Sequence, residues 1–198
     1  MKKIISIISL VLLLALSLTA CGGKADYKEN AKTYEFDKLK IELTESFDAG
    51  KREIKEGDSS LGVTYTSKTY TTVTVMKEEA NTAAFILANN DIAALKKSIP
   101  DMDHVTVTIN KITSDGVESE TADIETKAGT ATYYVYTVKE STGEYTYLKA
   151  FLNKSEYSYS ITFSVTKAAY EGKKDDGYKN HFMTWLKTAD ITIPESSD

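Results

Sequence analysis

Three consecutive segments of alternating sequence constrain the fold of this chain more than any other feature. In the last of them, 157–165, every second residue is apolar and the residues between are serine or threonine. The two earlier segments, 131–139 and 144–152, are rich in tyrosine and valine, and short turn sequences separate the three. A period of two places alternate side chains on opposite faces of a strand. The pattern predicts a three-stranded antiparallel meander.

Two further segments have helical periodicity. Apolar residues three and four positions apart predict a first helix over about 82–99, which Pro100 ends, and a second over about 175–188. The apolar stripe of the first helix comprises Phe85, Ala88, Ile92, Leu95 and Ile99. That of the second comprises Tyr178, Phe182, Trp185 and Leu186.

Weaker alternation predicts the remaining strands. One half-buried strand is expected over 34–43, two more over 61–66 and 69–77, and one around 105–109. Residues 44–60 read as a loop, 117–127 as a short edge strand or a loop, and 189–193 as a last short strand. The element order predicts the α+β class, with an antiparallel β-sheet flanked by two main helices.

Three segments together resemble the Mog1/PsbP-like fold. They are the opening strand running into Leu43–Phe47, the meander ending Ile161–Phe163, and the closing helix segment Phe182–Leu186 with its short exit strand. The resemblance implies an α/β/α sandwich with a binding or accessory role. It brings no catalytic residues with it.

The N-terminus has the sequence of an export signal. Lys2 and Lys3 precede seventeen uncharged residues, 4–20, as in secretory signals. The rival interpretation, a transmembrane helix, is at the short limit of length and lacks a basic flank on its C-terminal side. The segment ends in Leu18-Thr19-Ala20-Cys21, which resembles the lipobox of bacterial lipoproteins. That resemblance implies a signal peptide cleaved before Cys21 and a lipid on the cysteine.

Cys21 is the only cysteine of the chain. Buried thiol, free thiol and intermolecular disulfide are the alternatives to lipidation, and its place after Leu18-Thr19-Ala20 favours lipidation. Two acyl chains such as palmitate anchor a protein stably where one does not. The predicted partner is therefore the membrane, reached from the outer, extracytoplasmic face.

The predicted organisation is a signal peptide over 1–20, a lipidated flexible tether over 21–33, one α+β domain over 34–193 and a polar tail over 194–198. Only two prolines and no low-complexity run interrupt the domain. Lysine greatly outnumbers arginine, of which Arg52 is the single example. This bias is typical of AT-rich genomes and favours a Gram-positive source.

The charge balance argues against nucleic acid as a partner. Without residues 1–20 the chain has 22 basic and 29 acidic residues, a net charge of −7. Binding to a phosphate backbone needs clustered lysine and arginine. The expected partner is instead an unidentified envelope protein or solute.

No motif of an enzyme, metal site or cofactor site is present. His104 and His181 are the only histidines, lie outside any HExxH pattern, and are expected at the surface or rim. The sequence has neither a G-x-S-x-G elbow nor a phosphate-binding glycine loop. We predict no catalytic residues, no metal and no cofactor. A hydrolase with an unrecognised Ser-His-Asp site stays open as an alternative.

An acidic stretch and a surplus of tyrosine are the remaining candidates. The acidic residues are Asp101, Asp103, Asp115, Glu118, Glu120, Asp123 and Glu125. They fit a calcium site, but a solvated acidic edge that discourages strand pairing is favoured. Tyr133, Tyr145 and Tyr147 form a possible ligand platform for a sugar or peptide if one sheet face is open. If helices cover both faces, these tyrosines are core, and core is favoured.

The leading hypothesis is a non-catalytic, membrane-anchored extracytoplasmic lipoprotein with a binding or accessory role. The alternative is a carbohydrate- or small-ligand-binding module that uses the tyrosine-rich sheet face. Neither the ligand nor the oligomeric state follows from the sequence.

Overall fold

Antiparallel β-sheet dominates the structure, a computed structural model that describes residues 31–44, 47, 49–102, 104–114, 116–172 and 177–193. A few helices accompany the sheet, so the predicted α+β class is confirmed at this level. The strands are β1 Lys32–Phe36, β2 Leu39–Leu43, β3 Gly50–Glu56, β4 Ser59–Thr66, β5 Thr72–Lys77, β6 Thr106–Ile109, β7 Ile112–Ser114, β8 Val117–Ser119, β9 Ala122–Thr126, β10 Gly129–Glu140, β11 Gly143–Lys154, β12 Tyr157–Thr166 and β13 Asp190–Ile191. The α-helices are α1 Ala84–Ser98, α2 Lys167–Tyr170 and α3 Tyr178–Lys187, and a 3-10 turn spans Ile99–Asp101.

The large sheet is built around the predicted meander. Its strands lie in the order β3-β4-β5-β12-β11-β10-β6, all antiparallel, and β9 pairs with the first half of β10. The pairings β10–β11 and β11–β12 confirm the meander, whose strands are one to three residues longer than their periodicity predicts. The non-local pairing of β12 with β5 then attaches the N-terminal strands to it.

A second sheet of three strands, β1-β2-β13, replaces the single opening strand predicted over 34–43. Asp37 turns the chain at φ +54°, and a two-residue hairpin results. The sequence carried a signal for this turn, because the apolar set changes parity between Phe36 and Leu39. The closing strand β13 pairs with β2 and confirms the short exit strand.

The predicted loop over 44–60 contains strand β3. Side chains on both faces of β3 are largely exposed, since it is the outer strand of the large sheet and carries mostly charged residues. A strand with water on both faces has no apolar alternation for periodicity to detect. The region 117–127, predicted as a short edge strand or a loop, contains the two short strands β8 and β9, and β8 forms a hairpin with β7.

The helix α1 confirms the first predicted helix but not the whole of its stripe. Ala88, Ile92 and Leu95 are buried against the sheet, whereas Phe85 is 59% exposed. Leu87 and Ala84 take the buried positions in the first turn. The sheet contacts of α1 are with β10 and β11.

The two faces of the large sheet are covered differently. Face 1 carries Leu148, Ile161 and Phe163, and it packs against both α3 and the three-stranded sheet. Face 2 carries Tyr134, Tyr136 and Tyr147, and α1 packs on it. A flanking-helix sandwich is therefore not supported: one face is covered largely by further strands, and α1 contacts only part of the other.

The core of face 1 is centred on Trp185 of α3. Its ring lies 5.6 Å from Phe47 and 6.0 Å from Phe163, between ring centroids, and its indole N–H donates to Thr44 Oγ1 at 2.8 Å. Phe163 stacks on Phe182 at 5.0 Å. Trp185 is 1% exposed, which confirms its place in the apolar stripe of the second predicted helix.

Candidate functional site

The three tyrosines of the possible ligand platform are not brought together on an open surface. Tyr145 and Tyr147 are 5% and 3% exposed on face 2, in the cluster that packs with α1. Tyr133 is half-buried on face 1, beside the other core. The alternation that placed Tyr145 and Tyr147 on one strand face was sound, but the strand pairing places Tyr133 on the opposite side of the sheet.

Tyr147 instead belongs to a stack of buried rings. It lies parallel to Tyr136 at 4.8 Å between centroids, and Tyr136 lies 5.6 Å from Tyr134. Burial raises the pKa of all three phenols, and it raises those of Tyr134 and Tyr136 well above the ordinary value. These hydroxyls stay protonated throughout the physiological range, so the stack serves packing.

A cluster of charged side chains lies where α1 meets the sheet, and we call it the polar cluster. Asp91 of α1 accepts hydrogen bonds from the Tyr134 hydroxyl at 2.6 Å and from the Lys149 ammonium at 2.8 Å. The side chains of Asp91 and Lys149 are 18% and 15% exposed. The ammonium also lies 5.0 Å from the ring centroid of Phe151. The ion pair is thus largely shielded from water, yet solvent still reaches it.

Glu78 is the second carboxylate of the polar cluster. It follows β5 directly, and its Oε1 accepts the hydroxyl proton of Ser160 on β12. Burial raises the pKa of Glu78, Asp91 raises it further, and Lys149 together with the Ser160 hydrogen bond opposes the rise. The carboxylates of Asp91 and Glu78 therefore both interact with the Lys149 ammonium. Together with the nearby hydroxyls, the polar cluster contains charged acceptors, a charged donor and neutral hydrogen-bonding groups.

Rows of hydroxyl side chains continue the polar cluster across face 2. One row follows the register from Thr64 on β4 to Thr74 on β5, Thr162 on β12 and Lys149 on β11. The Thr64 and Thr74 hydroxyls bond to each other at 2.9 Å, and those of Thr72 and Ser164 bond likewise in the next row. These hydroxyls satisfy one another, which is the requirement for burying them.

The histidines occupy different environments. His104 is exposed in a turn at φ +64°, as expected for a surface position. The prediction of a surface or rim position for His181 is wrong, because the residue is 2% exposed. Its ring centroid lies 5.0 Å from that of Tyr178 and 5.6 Å from that of Trp185. The helical wheel missed it because α3 buries a wider face than its apolar stripe indicates.

Three acidic side chains of the stretch 101–125, those of Glu120, Asp123 and Glu125, have separate partners, and the side chains of Asp101, Asp103 and Asp115 lie outside the described residues. Glu120 binds Lys96 at 2.7 Å and Lys111 at 3.6 Å, and the hydrogen bonds from Lys96 lower its pKa. Asp123 accepts from Thr132 and Glu125 from Thr130, both at 2.7 Å. Among the residues that the structure describes, no group of three or more histidine, cysteine, aspartate or glutamate side chains is placed to hold a metal.

Cys21, the signal segment and most of the tether lie outside the described residues. Lipidation therefore stays a prediction from the sequence. Across the described parts of residues 31–193, none of the helices has both the length and the apolarity needed to cross a bilayer.

Comparison with known proteins identifies no family. The sequence matches no family model and no curated protein. A crystal structure from Bacteroides thetaiotaomicron is similar over 79% of this chain, with 9% identity and a TM-score of 0.40, and this chain spans 46% of that one. A Pseudomonas aeruginosa protein of unknown function, described as a putative regulator, is similar over 84% of this chain and 99% of its own, with 12% identity and a TM-score of 0.39. Scores this low support no inference about fold or function.

Sequence reasoning missed the polar cluster. Its members come from α1, β10, β11, β12 and the end of β5, and Lys149 and Asp91 are 58 positions apart. One signal was present: threonine or serine at every second position of β12, and at most of the alternate positions of β4 and β5, marks a polar strand face. Nothing in those segments indicated that the faces would align beside a helix carrying Asp91.

Proposed function

We propose that this chain is a lipid-anchored, extracytoplasmic protein of the bacterial cell membrane that binds a polar solute and does not catalyse a reaction. The lipobox-like Leu18-Thr19-Ala20-Cys21 supports the anchor and the location. The segment between Cys21 and the start of β1 at Lys32 spans roughly 40 Å at most when fully extended, so the domain stays close to the membrane. The Mog1/PsbP-like resemblance enters this proposal only through the binding or accessory role that it implies, because the α/β/α sandwich is not supported.

The polar cluster is the observation that carries the binding role. Charged groups are costly to desolvate, and Asp91, Lys149 and Glu78 nevertheless lie together where α1 meets the sheet. Binding sites fix polar ligands with a few such converging donors and acceptors. The cluster offers carboxylate acceptors and an ammonium donor that remain in part open to solvent.

The competing role of the polar cluster is structural, since Asp91 also links α1 to β10 and β11. A binding role differs in one respect: an added solute must change the environment of these side chains. The geometry gives no support for a hydrolase, because the described partners of Ser160 and Lys149 are carboxylates and neither is paired with a histidine.

The anchor is tested by palmitate labelling and membrane fractionation. The parent chain should incorporate labelled palmitate and sediment with membranes, and Cys21→Ala should lose the label and be released. Gly22→Ala, which leaves the cysteine in place, is the matched control and should behave like the parent. Continued membrane attachment of the Cys21→Ala chain contradicts lipid anchoring.

The binding role is tested by chemical-shift mapping. Purified protein is titrated with free amino acids, dipeptides and short glucose and N-acetylglucosamine oligomers. At least one class should shift amides near Asp91, Lys149 and Glu78, and Lys149→Met should abolish the shifts while Lys127→Met, which alters an exposed ion pair, should not. Shifts confined to other surfaces, or none with any probe, contradict the proposal.

A further inference from the structure

The outer strand β3 is a long edge strand whose exposed residues are mostly charged. Among the described strands it pairs only with β4, and its seven residues make it longer than the strands β6 and β9 at the opposite end of the large sheet. Lys51, Arg52, Glu53, Lys55 and Glu56 are all exposed. Charges on an outer strand normally prevent pairing with unrelated chains. Whether they also prevent pairing with β3 of a second copy depends on the order of the charges along the strand.

We propose that β3 pairs antiparallel with β3 of a second copy of this chain, about a two-fold axis at Ile54, so that the two large sheets join edge to edge. Symmetric pairing places one residue opposite its own copy and pairs the flanking residues reciprocally. With Ile54 at the centre, Arg52 faces Glu56 of the second copy and Glu53 faces Lys55 of the second copy. All four charge pairs are then of opposite sign.

Every other centre between Lys51 and Glu56 is disfavoured by charge. Ile54 is the only uncharged residue between Lys51 and Glu56, so any other centre in that span places a charged side chain opposite an identical one. Centring on Glu53, for example, also places Lys51 opposite Lys55. Opposite charges in facing cross-strand positions stabilise a sheet and like charges destabilise it. The charge order therefore selects one register.

The local geometry of β3 is compatible with this register. Lys55 Nζ lies 2.9 Å from Glu53 Oε2 within one copy, so the two side chains share a face as the pairing requires. In the dimer, Glu53 and Lys55 of both copies form a cluster of four charges in which each charge neighbours charges of the opposite sign. The register with β4 shifts between Ile54 and Lys55 because β4 carries the extra residue, Leu61, and β3 itself has no insertion.

The association is expected to be weak. Seven residues of strand bury less area than a stable interface, which takes about 1,200 Å² or more in total. Membrane anchoring would raise the local concentration of copies and favour pairing without any new contact. The dimer does not depend on the ligand-binding role, and the two can fail separately.

Cysteine crosslinking in membranes tests the register in the full-length chain. Ile54→Cys should form a disulfide-linked dimer on mild oxidation, because only this position faces itself. Arg52→Cys alone should give about fivefold less, since its two copies are about 14 Å apart in this register. Arg52→Cys mixed in equal amount with Glu56→Cys should crosslink about half as well as Ile54→Cys, because random mixing makes about half of the dimers mixed and only those place the two cysteines opposite each other. The unaltered chain reports any crosslink through Cys21.

Charge variants in the Ile54→Cys background test the pairing itself. Lys55→Glu creates two acidic pairs and should reduce the dimer severalfold, and the exchange Glu53→Lys with Lys55→Glu should restore it. Lys51→Glu faces Gly57 and serves as the matched control. Equal crosslinking of Ile54→Cys and Arg52→Cys, or no recovery in the exchanged variant, overturns the proposal. Unchanged thermal unfolding verifies that each variant folds.

Discussion

Replacing Lys149 with methionine should destabilise the protein far more than replacing a lysine in an exposed ion pair. The substitution keeps an unbranched apolar chain against Phe151 and removes only the ammonium, which lies 2.8 Å from Asp91 Oδ2. Asp91 and Glu78, whose like charges repel, are then left without the neighbouring positive charge of Lys149.

The expected loss in unfolding free energy is about 2–3 kcal/mol at neutral pH. Removing one partner of a fully buried pair costs about 3–5 kcal/mol, because the other charge is left uncompensated. The pair here is 15–18% exposed, and the Tyr134 hydroxyl still donates to Asp91, so the loss should fall below that range. Near pH 4 the loss should shrink, because burial raises the pKa of Glu78 and its carboxyl is then protonated.

Urea unfolding followed by the fluorescence of Trp185, the only tryptophan and a buried one, measures the effect. Lys127→Met is the matched control: Lys127 lies 2.6 Å from Glu42, but the two side chains are 55% and 42% exposed. Its cost should be about 0–1 kcal/mol. Equal costs for the two variants, or a Lys149→Met cost that does not change with pH, would refute this reasoning.

Three further predictions follow from burial and packing. Burial raises the folded-state pKa of Glu78 above its unfolded value of 4.5, so this group makes the unfolding free energy fall as the pH rises from 4.5 through the folded-state pKa. Glu78→Gln should remove this fall, and its gain in unfolding free energy over the parent should be largest at neutral pH. Equal pH profiles of the two proteins in urea unfolding would contradict this. Gly62→Ala should destabilise by about 1–3 kcal/mol, since the new Cβ would meet the Met76 sulfur and lie 2.5 Å from the Val75 carbonyl oxygen; a thermal midpoint equal to that of the parent would exclude the clash. Phe163→Ala should cost about 3–5 kcal/mol, because Phe163 is fully buried against Phe182, and a cost below 1 kcal/mol would show that the core closes over the cavity.

Local periodicity predicted the elements whose two sides have different surroundings. The meander strands and α1 were found near their predicted bounds because one set of side chains is buried and the other is not. Periodicity did not predict β3, which is exposed on both faces. It predicted β1 and β2 as one strand, although the chain turns between them at Asp37. Periodicity also placed Phe85 in the core, because the spacing of apolar residues along a helix does not indicate which of its turns lie over the sheet.

The candidate site shows the same division. Tyr145 and Tyr147 were correctly placed on one face of a strand, but their accessibility depended on which face α1 covers. The polar cluster was missed because its partners lie far apart in sequence, and no spacing within a segment joins Asp91 to Lys149. The antiparallel register of β5, β12 and β11 brings Glu78 near Lys149, and the packing of α1 on β10 and β11 brings Asp91 to the same place.

The sequence alone determined the strand and helix periodicities, the acidic charge and the predicted anchor at Cys21. Each of these depends on residues that are neighbours in the chain, or on their count. The tertiary structure decided the pairing of β12 with β5, the second sheet, the position of His181 in the core and the assembly of the polar cluster. The physical reason is that periodicity specifies which side of a segment is buried, whereas long-range packing and hydrogen bonding select what it is buried against.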